Sequence, residues 1–139
     1  MIEKLGKTLS QNDLGKNNSH QAGFHIPKSI VQLDFFPKLP ADVINPRLRL
    51  KCVDTVDGRI FFASYIHYNS KRLGLGTRDE YRITGLTTFI RANGLLPGDR
   101  IIFLKSAPLS FSLQVEKVER SAKTLSSESW LAIYGTESR

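Results

Sequence analysis

Between residues 109 and 116 the chain alternates without a break. Leu109, Phe111, Leu113 and Val115 are apolar, and Ser110, Ser112, Gln114 and Glu116 between them are polar. Successive side chains of an extended backbone point to opposite faces, so this run makes a strand with one face buried and one exposed. Residues 47–53 repeat the pattern, with Leu48, Leu50 and Cys52 on one side and Arg47, Arg49 and Lys51 on the other. A chain with two such runs has to build a sheet and cover one face of it.

The remaining segments fit that frame. Asp57-Gly58 predicts a two-residue hairpin turn, because glycine tolerates the positive φ such turns require. The run 59–68 after it is rich in aromatic and β-branched residues and reads as a central strand. Pro27 suits the first turn of a helix whose apolar face is Ile30, Val31 and Leu33, and Pro37 and Pro40 stop it. Residues 86–93 predict a second short helix, with Leu86, Phe89 and Ile90 on one side and Gly94 past its end. Strands are expected near 23–26 and at 100–104, and residues 130–134 form a closing strand or the start of a linker. Six or seven short strands with two short helices give a mainly β (α+β), barrel-like fold, with residues 1–139 expected to form one domain.

A length of 139 residues is enough to bury a core, and eight Phe argue against disorder. No apolar run approaches membrane-spanning length, and the start (Met1-Ile2-Glu3-Lys4-Leu5) lacks the apolar stretch of a secretory signal, so a cytoplasmic protein is expected. Cys52, the single cysteine, excludes an internal disulfide and a cysteine zinc site. The formal charge of +7 favours a polyanionic partner.

Residues 74–84 read Gly-Leu-Gly-Thr-Arg-Asp-Glu-Tyr-Arg-Ile-Thr. In extended backbone Arg78, Glu80 and Arg82 share one face, while Asp79, Tyr81 and Ile83 share the other. Arg, Glu and Arg in a row make a poor packing surface but suit a DNA groove: Arg donates to guanine O6 and N7, and Glu accepts from the cytosine amino group. The competing reading is a solvated strand edge. Upstream, residues 11–19 are dominated by Asn, Asp, Gly and Ser, whose side chains compete with regular backbone pairing. They form a polar loop that is either a solvated connector or an arm lying against phosphates and bases.

Catalytic chemistry finds no support. His20 and His25 lie five residues apart with no third ligand nearby, so no metal or other cofactor is expected. Gly74 and Gly76 begin a Gly-x-Gly, but Asp79 stands where a phosphate-cradling motif needs its third glycine. No lysine follows a carboxylate by two residues, the spacing of many restriction nucleases. The chain reads as a binding module.

The pattern Leu9-Ser10, Asn12-Asp13, Gly15, His20-Gln21, Gly23, Ile26-Pro27 and Ile30-Val31, followed by Tyr68-Asn69-Ser70, Thr77-Arg78, Glu80 and Arg82-Ile83-Thr84, closely resembles the N-terminal effector-binding domain of EcoRII restriction endonucleases. Phe89, Asn93, Leu96-Pro97-Gly98-Asp99 and Phe103 also resemble the plant transcription-factor pseudobarrel of the B-three type. The resemblance implies a seven-stranded open pseudobarrel with two helices, and two arms (about 10–25 and 65–82) that grip the major groove of double-stranded DNA. It implies monomeric recognition of 5′-CCWGG-like sites, with the nuclease domain elsewhere in the polypeptide. By position it places His20, Arg78, Glu80 and Arg82 at the DNA cleft, and with His25, Asn12 and Asp13 these are the expected base readers. Lys16, Ser19, Gln21, Arg47, Asn69, Lys71, Arg72, Thr77 and Tyr81 become contacts to the DNA backbone. Three positions depart from the family: His25 replaces a tyrosine, and Gly76 and Tyr81 replace lysines. The alternatives are a small DNA-processing enzyme with an unfamiliar active site and a transcription regulator on the same fold.

Overall fold

A computed structural model describes residues 2–14, 23–118 and 130–134. The strands are β1 (Ile2–Thr8), β2 (Gly23–Ile26), β3 (Arg47–Asp54), β4 (Ile60–Tyr68), β5 (Glu80–Thr84), β6 (Arg100–Ala107), β7 (Ser110–Glu116) and β8 (Trp130–Tyr134). The helices are α1 (Lys28–Val31) and α2 (Thr87–Ala92). The strands form one sheet in the order β2-β5-β4-β3-β7-β6-β1-β8. Every neighbouring pair is antiparallel except β3 and β7, which run parallel.

The alternation read from the sequence sets the inner face. Leu50 and Cys52 on β3 are fully buried, as are Phe111 and Leu113 on β7, while Arg47, Arg49 and Lys51 point outward. Burial pushes the Cys52 thiol up to about 12, so it stays a protonated, unreactive packing group. Phe36, in the segment after α1, meets rings from four strands: Tyr65 at 5.2 Å, Phe111 at 5.6 Å, Phe103 at 5.9 Å and Trp130 at 6.4 Å. On α2, Phe89 packs edge-on against Phe61 of β4.

The sheet curls until its two outermost strands meet through side chains. The Trp130 indole on β8 donates a 3.0 Å hydrogen bond to the His25 carbonyl on β2, and its ring meets Phe24 at 6.5 Å. These two strands stand at opposite ends of the sheet order, and no ladder joins them. The result is the expected open pseudobarrel, mainly β with two short helices.

Among the described residues eight strands stand where the resemblance implied seven. The strand that sequence reading missed is β1. Its inward positions carry Leu5 and Lys7 ahead of Leu9, and the lysine breaks the apolar alternation that marks a strand. Lys7 is only 4% exposed; its ammonium pairs with Asp13 at 3.1 Å and lies 5.6 Å from the Trp130 ring centre. The β3–β4 turn is also longer than two residues. Asp54 N donates to Arg59 O at 2.8 Å, and the Asp54 and Asp57 carboxylates accept from Val56 N and Arg59 N inside it. Gly58 does adopt the positive φ, +76°.

Candidate nucleic-acid interface

Strand pairing places the charged row of β5 within a larger surface. His25 on β2 stands opposite Arg82 on β5, Arg82 opposite Ile66 on β4, and Ile66 opposite Arg47 on β3. Phe24, Ile26, Tyr65 and Ile83 fill the inner side, so this row faces outward. Glu80 lies two pairs further along, on the same face, opposite Tyr68.

Within the row the side chains are already fixed. Glu80 Oε2 accepts from Arg78 Nη2 at 2.5 Å and from Arg82 Nη1 at 3.3 Å. The hydrogen bond from Arg78 is the main cause holding the Glu80 carboxyl below the usual carboxylate range, aided by the charges of both arginines. The Arg78 guanidinium also lies over the Tyr68 ring at 3.8 Å. Both bonds to Glu80 fall on Oε2; among the described residues nothing donates to Oε1. A partly exposed carboxylate (28%) and a partly exposed guanidinium (39%) therefore sit bonded together at the surface. That pair can accept from a cytosine amino group and donate to a guanine. Arg82 is more enclosed, 16% exposed, and its Nη2 donates to the Gly23 carbonyl at 3.2 Å, tying β5 to β2. Its Nε is buried with no hydrogen-bond partner among the described residues.

On the opposite side of β5, Asp79 gathers three donors. His67 Nε2 lies at 2.9 Å, Lys28 Nζ at 2.8 Å, and Arg72 Nε at 3.1 Å from each carboxylate oxygen. These bonds, His67's foremost and then Lys28's, hold the Asp79 carboxyl far below the usual carboxylate range. A carboxylate only accepts, so His67 Nε2 carries the proton of that bond. One acid thus joins α1, β4 and the loop between β4 and β5. The loop itself is tight: Lys71 N donates to Arg78 O at 2.8 Å and Leu75 N to Ser70 O at 2.9 Å. A Cβ at Gly76 would sit 2.6 Å from Ser70 Oγ, so a side chain here would require the Ser70 hydroxyl to shift. Leu75, 71% exposed, is an apolar side chain on this loop of the sort that meets a thymine methyl.

Three expected DNA contacts are corrected. Asp13 is 7% exposed; it pairs with Lys7 and accepts from Ser10 N at 2.8 Å while Ser10 Oγ accepts from Asp13 N, so it neutralises a buried lysine and caps a turn. Asn69 is 1% exposed, its amide bonded to Asn45 N and Val43 O at 2.8 Å each, which leaves it no reach to a phosphate. Tyr81 faces inward, stacked on His67 at 3.9 Å and near Tyr65 at 5.9 Å, on the opposite side of β5 from Arg78. In each case a polar side chain that looked available for a ligand satisfies a buried partner. His25, Asn12, Arg47, Lys71, Arg72 and Thr77 are exposed, although Arg72 is held by Asp79. His20, Lys16, Ser19 and Gln21 lie outside the described residues. Sequence reading missed Tyr68 and the group around Asp79. The inward-facing acid at 79, close to Lys71 and Arg72, was the available signal.

Residues 2–93 match the family described as "Restriction endonuclease EcoRII, N-terminal", well over half of the chain. The chain belongs to this family. The EcoRII N-terminal match takes in β1 to α2, and with them the whole Arg78 row and the Asp79 group. The type II restriction enzyme EcoRII of Escherichia coli is 40% identical over 80 residues, 56% of this chain and 19% of that enzyme. Thus the chain matches about a fifth of that relative's length. Two solved structures share the fold. The Arabidopsis FUS3–DNA complex superposes with a TM-score of 0.62 at 17% identity, covering 82% of this chain and 96% of that one. The N-terminal domain of Helicobacter pylori LlaJI.R1 gives 0.53 at 14% identity, covering 84% and 82%.

Proposed function

We propose that this EcoRII N-terminal family member is a sequence-specific reader of double-stranded DNA, the recognition part of a type II restriction endonuclease. It reads 5′-CCWGG-like sites through the major groove as a monomer. The observation that carries this reading is the partly exposed Arg78–Glu80 pair, held in place by Arg82 and Tyr68. A G·C pair presents two acceptors from guanine and one donor from cytosine in the major groove, the complement of this pair. His25 extends the row, and the exposed Lys71, Thr77 and Arg47 supply phosphate contacts that set register without reading sequence. The nuclease domain lies elsewhere in the polypeptide. Arg78→Ala should cost about 1–3 kcal/mol on the cognate duplex and relax base preference, measured by competition between cognate and scrambled duplexes. Unchanged affinity for both would reject Arg78 as a reader.

The likeness to the FUS3–DNA complex keeps a second reading open, a transcription regulator on the same fold. The 40% identity to EcoRII over 80 residues, with a family match that spans the row, favours the restriction reading.

A further inference from the structure

Arg47, Arg49 and Lys51 on β3 differ from the cations gathered around β5. Arg78, Arg82, Arg72 and Lys28 each sit within 4.0 Å of a carboxylate. Among the described residues, none of the three β3 cations does, and all three are exposed. Arg49 nonetheless has a partner, its guanidinium lying over the ring of Phe62 at 3.7 Å, and Phe62 is 48% exposed. A cation left without a counter-charge but held on an aromatic platform is prepared for an anion from outside the molecule. The spacing is regular. Alternate residues of a strand stand about 7 Å apart, so the three charges form a line about 13 Å long, equal to about four base steps of a duplex. The line begins at Arg47, which shares a row with Arg82 and His25 and lies two strands, about 10 Å, from Arg82.

We infer that the outer face of β3 is a phosphate rail, with Arg49 and Lys51 contacting the DNA backbone beyond the base pairs that the Arg78 row reads. The ligand is duplex phosphate flanking the recognition sequence. The inference rests on the DNA-reading function proposed above and adds a direction: the duplex runs from the β2–β5 row along β3. Such contacts strengthen binding to any sequence, speed encounter, and leave the preference between sequences unchanged.

The test titrates the purified chain against a 5′-CCWGG duplex with about one helical turn of flank on each side, at several salt concentrations. Each lost phosphate contact lowers the log–log salt slope by about 0.9, so R49Q/K51Q should lower it by about 1.8. The same reduction is expected on a scrambled duplex, and the cognate-to-scrambled ratio should hold. Trimming the flanks should weaken the wild type and leave R49Q/K51Q nearly unaffected. The charge-preserving R49K/K51R should restore most of the slope. An unchanged slope in R49Q/K51Q, or an equal loss in R49K/K51R, overturns the rail. Because slope is read on either duplex, the outcome is independent of whether the wild type prefers 5′-CCWGG, which tests the base readers.

Discussion

At the scale of single residues, burial separates the side chains that face outward from those that hold the fold. Asp13 and Lys7 form an ion pair with side chains 8% and 5% exposed, under the rings of Trp130 and Phe24. Removing one member of such a pair strands the other's charge in a low-dielectric setting. Asp13→Ala should therefore cost about 3–5 kcal/mol in denaturant unfolding. Replacing both, as Lys7→Met with Asp13→Leu, should recover most of the loss. Recovery would mark the pair as structural. A variant that stays stable but loses DNA specificity would return Asp13 to the readers. The same logic explains why site residues were only partly legible in the sequence. Alternation places Arg78, Glu80 and Arg82 on one face without any further knowledge. The partner of Asn69 is Asn45, 24 residues away, and that of Asp79 includes Lys28, 51 residues away. No local pattern reveals such pairings, so inward polar groups were read as available for DNA.

At the scale of elements, regular alternation made β3 and β7 legible, and aromatic content did the same for β4. Strand β1 was hidden by a lysine on its inner face, and the curl that brings β8 to β2 depends on a contact across 105 residues. The arm between β4 and β5 owes its position to Asp79, and this has a pH consequence. The folded pKa of Asp79 is depressed, so its contribution is complete above the unfolded value, near about 4, and is lost as pH falls through the folded one. Asp79→Asn should lower the thermal midpoint at neutral pH, and the gap to wild type should close as the buffer is taken below about pH 4. Melting curves across that range check the sign; a gap that widens in acid would contradict it. Hydrogen exchange should become faster at the amides of Lys71 and Leu75, which close the loop that Asp79 anchors.

At the scale of the whole molecule, an eight-stranded open pseudobarrel keeps its aromatic core on one side of the sheet and the cations of β3 and β5 on the outer side. The rigid sheet sets the spacing of the readers, and the loops contribute the arms around them. In the proposed function, net charge supplies general affinity for polyanions and the preset Arg78–Glu80 pair supplies discrimination. The central claim is that this surface reads a short G·C-rich duplex sequence. The most direct measurement is selection of bound duplexes from a random pool by the purified chain, followed by sequencing. A near-palindromic, G·C-rich five-base consensus is the predicted result. A pool that remains random after repeated rounds, or a preference for RNA over duplex DNA, would contradict the account.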